Sequence, residues 1–480
     1  MKKVTEVKQE ASQAVNQAVY SLAKKEVGAL VDHIIEEKDI KDRQKTLTRL
    51  SYVLEHLFGD LFEKESFEDA RRLIAENGKW MQFLNRGLDT LNPNIIKTAV
   101  MDLGFEAGFY GLRVRNAAKA KYHCNIPWTI LFDPTSACNM HCIGCWAAEY
   151  GHTLNLSYET MDKIVREGRE LGCHFYLMTG GEPLVRKNDI LRLCRAYPDC
   201  EFHAFTNGTL IDEAFCEQVT EVGNLSFSIS IEGFREVNDS RRGVGDFDKV
   251  MHAMDLLREN GIVFGTSICY TSKNIETVTS DKFLDMLIDK GAWFTWYFHY
   301  MPVGNDASLD LLPTPEQRAY MVRRVREIRA VKGGKPIFAI DFQNDGEHIG
   351  GCIAGARQYC HINPNGDVEP CVFIHYSSAN IKEQSLLECL QQPLFREYQK
   401  HQPFNENHLR PCPMLENPQF LAAMVAKSGA RSTDLQSPES AMQLCAKCRA
   451  YAKAWKPEAD KLWNEIEEKQ ESDTPAAAVN

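Results

Sequence analysis

An α/β fold, with a parallel sheet covered by helices and either open or rolled into a partial barrel, is what the segment order from residue 128 onward predicts. Short apolar runs alternate with amphipathic helical stretches through six units, the pattern of a parallel sheet with helical crossovers. The unusual residues of the chain fall at the ends of those runs, where such folds gather their chemistry. On either side the pattern changes, to helical periodicity before it and to a cysteine-bearing segment after it.

Residues 1 to about 120 place apolar side chains at three- and four-residue steps in "QAVYSLAKKEVGALVDHIIEEK", "TLTRLSYVLEHLFGDLF" and "DARRLIAENGKWMQFLNRGL", which predicts helices. Asn92, Pro93 and Asn94 break the pattern before a further helix. The predicted strands are "WTILFDPT", "HFYLMTGG", "EFHAFTNG", "LSFSISIEG", "IVFGTSICY" and "WFTWYFHYMP", with helices such as "YETMDKIVREGRELG" and "FDKVMHAMDLLRENG" between them. In the last strand Trp293, Thr295, Tyr297 and His299 share one face. If that face looks inward, Tyr297 and His299 are the candidates for touching substrate or moving protons.

The 480 residues exceed one ordinary core, so two or three domains are expected. A hydrophobic share of 44% and a charged share of 25% are those of a soluble globular protein. The net charge of -11 argues against a nucleic-acid binder. The opening "MKKVTEVKQEASQ" has no apolar stretch of the signal-peptide kind, and "GAWFTWYFHYMPV" is too short to span a bilayer. A cytoplasmic location is expected.

Sixteen cysteines in a chain read as cytoplasmic point to metal binding rather than disulfides. Cys173, Cys194, Cys216, Cys269 and Cys389 lie singly in apolar patterns and read as small buried hydrophobes. "CNMHCIGC", after the first strand, is different, because Cys138, Cys142 and Cys145 stand in eight residues with no local fourth. Thiolates suit zinc or iron–sulfur clusters, and a structural zinc closes with four ligands. Three suggest a cluster with one iron left open.

"CNMHCIGC" after the first strand and "TGGEP" after the second, followed by "TNGT" and "SIEG" at the next two strand ends, resemble the radical S-adenosylmethionine (SAM) enzymes over residues 125 to 305. The resemblance implies a partial (β/α)6 barrel of the TIM type. It implies that Cys138, Cys142 and Cys145 hold a [4Fe–4S] cluster whose open iron binds SAM. An electron then cleaves SAM to a 5'-deoxyadenosyl radical that takes a hydrogen from substrate. Residue by residue, the resemblance implies that Gly180, Gly181 and Glu182 meet the methionine amino group, the glycines by letting backbone approach the ligand. It puts Asn207, Ser230 and Glu232 near the cofactor, and Arg242 on the SAM carboxylate. The residue before the third cysteine is aromatic in that family and Gly144 here, so Trp146 is the candidate for the adenine surface. A plain zinc protein would account for the cysteines but not for the other three motifs.

"CIAGARQYCHINPNGDVEPC" resembles the opening of a SPASM-type extension, which carries auxiliary clusters, although the family's compact array of four later cysteines is missing. The candidate ligands are Cys352, Cys360, Cys371, Cys412, Cys445 and Cys448. The expectation is one full cluster on Cys352, Cys360 and Cys371, with a fourth ligand from the last three, and one or two auxiliary clusters in all. A zinc knuckle at Cys445 and Cys448 is the alternative. The implied division is a helical domain over 1–122, the barrel over 123–334, the extension over 335–456 and a polar tail over 457–480.

The resemblance implies an oxidoreductase acting on an unidentified peptide, protein or cofactor precursor, with an electron donor such as ferredoxin or flavodoxin. A lipid-joining enzyme is the second reading, for which "GFYGLRVRNAAKAKYH" would offer peripheral membrane contact. A non-catalytic cluster scaffold is the third.

Overall fold

The protein's structure, a computed structural model, describes residues 2–303 and 307–473. Its centre is one mostly parallel sheet. The strands are β1 (Thr129–Phe132), β2 (Phe175–Met178), β3 (Glu201–Thr206), β4 (Leu225–Ser230), β5 (Phe264–Tyr270), β6 (Phe294–His299), β7 (Phe338–Asp341), β8 (Tyr359–Ile362) and β9 (Val368–Glu369). Their spatial order is β7-β6-β5-β4-β3-β2-β1-β8-β9. β1 to β6 match the six strands expected, and each new strand is added on the same side, which brings all their C-terminal ends to one edge. Among the described strands of this sheet, only β9 runs antiparallel.

The sequence marked the end of the barrel near residue 334, but the sheet continues past it. β7 pairs with β6, and β8 pairs with β1 on the other flank, Ile130 opposite Cys360. The cysteine-bearing extension therefore shares hydrogen bonds with the barrel. The expected tail boundary at 457 is also crossed, because one helix, Ala441–Asp473, runs through Pro457. Buried Trp455, Ala459 and Leu462 hold that helix down on both sides of the proline. Residues 474–480 of the expected tail lie outside the described residues.

Strand alternation divides the apolar side chains into two cores. Ile130, Phe132, Tyr176 and Met178 face the helices that cover the sheet, while Leu131, Phe175 and Leu177 face the inside and join the core of the extension. The covering helices are built as their periodicity predicts. In Tyr158–Glu170, Ser157 caps the N-terminus by accepting from Thr160 N, and Met161, Ile164, Val165 and Gly168 form the buried stripe. Pro315–Arg329 begins with a reciprocal Thr314–Gln317 capping box. Its Arg318 is fully buried and pairs with Glu416 of the extension at 2.6 Å.

Of the N-terminal helices, Lys79–Thr90 meets the opposite end of the sheet. Phe83 packs on Trp293 just before β6, and Trp80 on Phe338 at the start of β7. The chain then passes through a π-helical stretch, Ala99–Tyr110, into Gly111–Tyr122. The aromatics expected to meet a membrane are packed internally: Phe109 lies against Phe58 and Phe62, and Tyr110 against Tyr20. Arg115 is buried and donates to Gly172 O at 2.7 Å. Among the described residues no helix is long and apolar enough to cross a membrane.

Candidate functional site

The segment after β1 crosses the C-terminal edge of the sheet and carries Cys138, Cys142 and Cys145 before a short helix, Trp146–Tyr150. Its position is set by bonds to three neighbouring strand ends. Gly181 N donates to Thr135 O and Glu182 N to Ala137 O, both at 2.9 Å. Asn207, after β3, donates through its side chain to Asn139 Oδ1 at 2.8 Å. Arg241 and Ile143 exchange two bonds, Ile143 N to Arg241 O at 3.0 Å and Arg241 Nε to Ile143 O at 3.1 Å. The residues singled out in "CNMHCIGC", "TGGEP" and "TNGT" are thus brought together, as is Arg242.

The two glycines have a steric role within the protein beside the one expected. A Cβ on Gly180 would stand 2.4 Å from Thr135 O, and one on Gly181 would stand 2.2 Å from Ala137 O. Glycine is required because the backbone of the cysteine segment lies against it. Glu182 is also turned inward. Its carboxylate is buried and accepts from Thr206 Oγ1 at 2.6 Å, Asn207 N at 2.8 Å and Leu184 N at 3.0 Å. Burial pushes its pKa up and these donors pull it back. Glu182 fastens the end of β2 to the end of β3.

Glu232 is buried beyond β4 and pairs with both arginines, Arg241 at its Oε2 and Arg242 at its Oε1, each at 2.8 Å. Two guanidiniums on one carboxylate leave a surplus positive charge beside Cys142. Burial raises the Cys142 thiol, while Arg242 and Arg241 pull it down. Burial also pushes Cys138 up to about 11. Ser230 is half-buried at the end of β4, opposite Ser267. Thr206, Asn139 and Arg241 were not singled out from the sequence. The doubled arginine of "NDSRRG" was the available signal for Arg241, whereas Thr206 and Asn139 lie inside "TNGT" and "CNMHCIGC" but take on these roles only in the fold.

Trp146 turns toward the extension, its ring 5.9 Å from His361 and 6.3 Å from both Phe373 and His375. The aromatic neighbour of position 144 is instead Tyr300, 3.4 Å from where a Gly144 Cβ would be. Tyr300 follows β6, far from the cysteines in sequence.

The inward face of β6 is the opposite of the one that carries Tyr297 and His299. Trp296 and Phe298 look inside, meeting Phe205 and Phe342. The Trp296 Nε1 donor is buried without an acceptor among the described residues. Tyr297 belongs to the helix-facing core and donates to Val278 O at 2.8 Å. His299 bonds Tyr300 O through Nδ1 at 2.6 Å and Tyr451 Oη through Nε2 at 2.7 Å. Burial and Arg318 hold it well below the usual histidine range, so the neutral ring donates from Nδ1 and accepts at Nε2. Both side chains are committed to packing, which corrects their candidacy for chemistry. Strand parity explains the reversal, since a helix-covered strand is apolar on both faces and its sequence does not mark which one looks inward.

In the extension, Cys371, Cys445 and Cys448 lie in one core with Cys352 and Cys412 packed against it. Cys360 is not with them. Its register with Ile130 in β1 turns it to the helix-facing core beside Cys173 and Cys389. This corrects the expected ligand trio, and the period of two along β8 is the reason: Tyr359 faces the other cysteines, so Cys360 cannot.

Soft sulfur donors at a strand-end edge, with surplus positive charge beside them, fit an iron–sulfur cluster with an anionic ligand. Among the described residues no three His, Cys, Asp or Glu side chains converge on a point where one metal ion could sit. Cluster ligands bind different irons and stand farther apart than the ligands of a single ion. In the extension the fully buried Tyr398 hydroxyl has no hydrogen-bond partner among the described residues.

The sequence profile of the radical SAM superfamily matches residues 132–286, and that of the SPASM iron–sulfur cluster-binding domain matches residues 352–414. An AdoMet-dependent heme synthase of Methanosarcina barkeri is 25% identical over 290 residues, covering 55% of this chain and 82% of that protein. A PqqA peptide cyclase of Granulibacter bethesdensis is 27% identical over 257 residues, 51% of this chain and 67% of that protein. Among solved structures, Streptococcus suis SuiB aligns with a TM-score of 0.49 at 18% identity, over 76% of this chain and 84% of that one.

Proposed function

The chain is a radical SAM enzyme with a SPASM domain, and from that premise we propose that it removes a hydrogen atom from a peptide or cofactor precursor held inside the barrel. The observation that supports this most is the clamping of the Cys138–Cys145 segment to the ends of β2, β3 and β4 by Gly181, Glu182, Asn207 and Arg241.

In this reading Cys138, Cys142 and Cys145 hold the [4Fe–4S] cluster, which together with SAM supplies a 5'-deoxyadenosyl radical when both are bound. Arg241 and Arg242, sharing only Glu232, attract the SAM carboxylate with their surplus charge. Ser230 and Asn207 lie along the same edge for the polar parts of the cofactor. Gly180, Gly181 and Glu182 set the height of the cysteine segment and so the distance between cofactor and sheet. Phe205, Trp296, Phe298 and Phe342 line the inside, exclude water and place the substrate, with Trp296 Nε1 as a donor to it. Named relatives that are a heme synthase and a peptide cyclase support a cofactor precursor or a peptide. The electron comes from a ferredoxin- or flavodoxin-like donor in the cytoplasm.

The test uses protein purified without oxygen and supplied with a low-potential reductant. Formation of 5'-deoxyadenosine from SAM by the wild type, and its loss in a Cys138/Cys142/Cys145→Ala variant that keeps its fold, is the expected result. Iron and no cleavage in the wild type would favour the scaffold reading instead.

A further inference from the structure

We infer that Cys269 gives the hydrogen atom of its thiol to a carbon radical inside the barrel, as a further catalytic residue of the site. The inference rests on the radical reading of the chain and adds to it the fate of the radical.

The sequence marks five lone cysteines as small buried hydrophobes, and the structure buries four of them. Cys173, Cys194, Cys216 and Cys389 are enclosed, whereas Cys269 is half-buried. Strand parity gives the reason. Ile268 and Tyr270, its neighbours in β5, belong to the helix-facing core, so Cys269 between them looks inward. In the ladder with β6, Cys269 stands opposite Phe298 and Ser267 opposite Trp296. Tyr297 and His299, on the other face of β6, are buried, while Trp296 and Phe298 keep part of their surface open. The thiol borders the inside of the barrel.

Cys269 is also the last inward residue of β5, and two connections join that strand end to the cysteine segment. Asn274 Nδ2 donates to Cys269 O at 3.2 Å and to Glu232 O at 3.1 Å. Glu232 pairs with Arg241, which bonds Ile143 between Cys142 and Cys145. On the other flank Tyr300 N donates to Tyr270 O at 3.0 Å, and the Tyr300 ring lies 3.4 Å from where a Gly144 Cβ would be.

A second observation marks the space before the thiol as a binding place. The Trp296 indole N–H, on the same inward face, is buried with no acceptor among the described residues. Buried donors are ordinarily satisfied, and an orphan of this kind marks a group that is missing. Phe205 and Phe298 flank the indole at 5.3 and 5.6 Å. A substrate group accepting from Trp296 would lie among these rings, with Cys269 one inward position nearer the C-terminal edge.

Thiol chemistry suits that place. An S–H bond is weaker than an alkyl C–H bond, so hydrogen passes from sulfur to a carbon radical downhill. One S–H bond breaks, one C–H bond forms, and the unpaired electron is left on sulfur. One electron from the low-potential reductant and one proton from solvent restore the thiol. The substrate thus regains a hydrogen for the one it lost. Burial raises the Cys269 pKa against the pull of Arg241, which keeps the hydrogen on the sulfur.

The experiment needs no substrate, because the radical made from SAM is itself a carbon radical. Holoenzyme purified without oxygen is supplied with SAM and dithionite in heavy water, and the 5'-deoxyadenosine is analysed by mass spectrometry. The thiol hydrogen exchanges with solvent, whereas carbon-bound hydrogens do not. The wild type should place deuterium on the 5' carbon, and Cys269→Ala should lose that label. Cys269→Ser covers the case in which the alanine variant fails to fold. Its O–H bond is too strong to yield hydrogen to carbon, so it should lose the label while keeping the shape. Cys216→Ala, in the helix-facing core, should keep it. Without any turnover, iodoacetamide in mildly alkaline buffer should alkylate Cys269 of the folded protein before Cys173, Cys194, Cys216 and Cys389. Deuterium retained in Cys269→Ser, unlabelled 5'-deoxyadenosine from the wild type, or Cys269 alkylated last of the five would each overturn the inference. No 5'-deoxyadenosine at all from the wild type would instead defeat the radical reading beneath it.

Discussion

Trp146 stands edge-on to Phe373, their rings 6.3 Å apart and inclined at 79°. One residue follows Cys145 and the other lies two beyond Cys371, so this contact joins the two cysteine-bearing segments across the inside of the barrel. His361, held between Asp133 of the barrel and Glu369 of the extension at 3.1 and 2.7 Å, supports it from below.

Trp146→Ala therefore opens a hole in that junction. A large aromatic removed from a well-packed site costs about 3–5 kcal/mol when fully buried, and the half-buried Trp146 should cost less. Thermal unfolding should show the loss, and Trp146→Phe should recover most of it. Equal midpoints for the alanine variant and wild type would mean that the contact does not hold the segments together.

Gly181→Ala should separate the two metal sites. Its Cβ would meet Ala137 O at 2.2 Å and Ser136 O at 2.5 Å, both backbone atoms leading into Cys138. The cysteine segment must move, while nothing in the extension is touched. Iron should fall by about four per chain, one [4Fe–4S] cluster, with the auxiliary signal retained. Full iron content and unaltered SAM cleavage would show that the segment adapts.

Arg318 and Glu416 are both fully buried. Arg318→Ala leaves the Glu416 carboxylate charged and alone, which costs about 3–5 kcal/mol. Since Glu416 also fixes the Cys412 turn, auxiliary iron should fall together with stability. The double variant Arg318→Met/Glu416→Gln removes both charges and should be more stable than the single one in urea denaturation.

Burial at the closed end of the barrel pushes Asp102 up to about 8 and Glu201 likewise to about 8. A carboxyl raised above its unfolded value of about 4 binds more protons when folded. Its contribution to stability is present below about pH 4 and is lost as the pH rises through about 8. Melting temperature should decline from pH 5 to pH 9, and the Asp102→Asn/Glu201→Gln double variant should show a flatter profile. Parallel profiles would mean that these groups do not titrate in the folded protein.

Tyr297→Phe removes one hydrogen bond, to Val278 O, for a loss of about 0.5–1.5 kcal/mol. Formation of 5'-deoxyadenosine should not change, because the side chain faces the helices. Trp296→Leu, on the inward face, should weaken substrate use while costing little in SAM binding, readable as KM against kcat once a substrate is supplied.

Much of this protein was legible in its sequence because the relevant signals are local. Strand and helix periods mark β1 to β6, and the spacing of Cys138, Cys142 and Cys145 with the glycine-rich turn at Gly180 marks the edge where cofactor chemistry is placed. The direction of side chains was not legible. On a strand covered on both faces, Tyr297 and Trp296 read alike, as do Tyr359 and Cys360. Only pairing with neighbouring strands decides which enters the barrel or the cluster pocket. Interactions between distant segments were equally out of reach: Glu182 with Thr206, Tyr300 beside Gly144, and Arg318 with Glu416. Local periodicity determines which elements form, whereas register and packing determine what each residue meets, because a shift of one position turns a side chain to the opposite face.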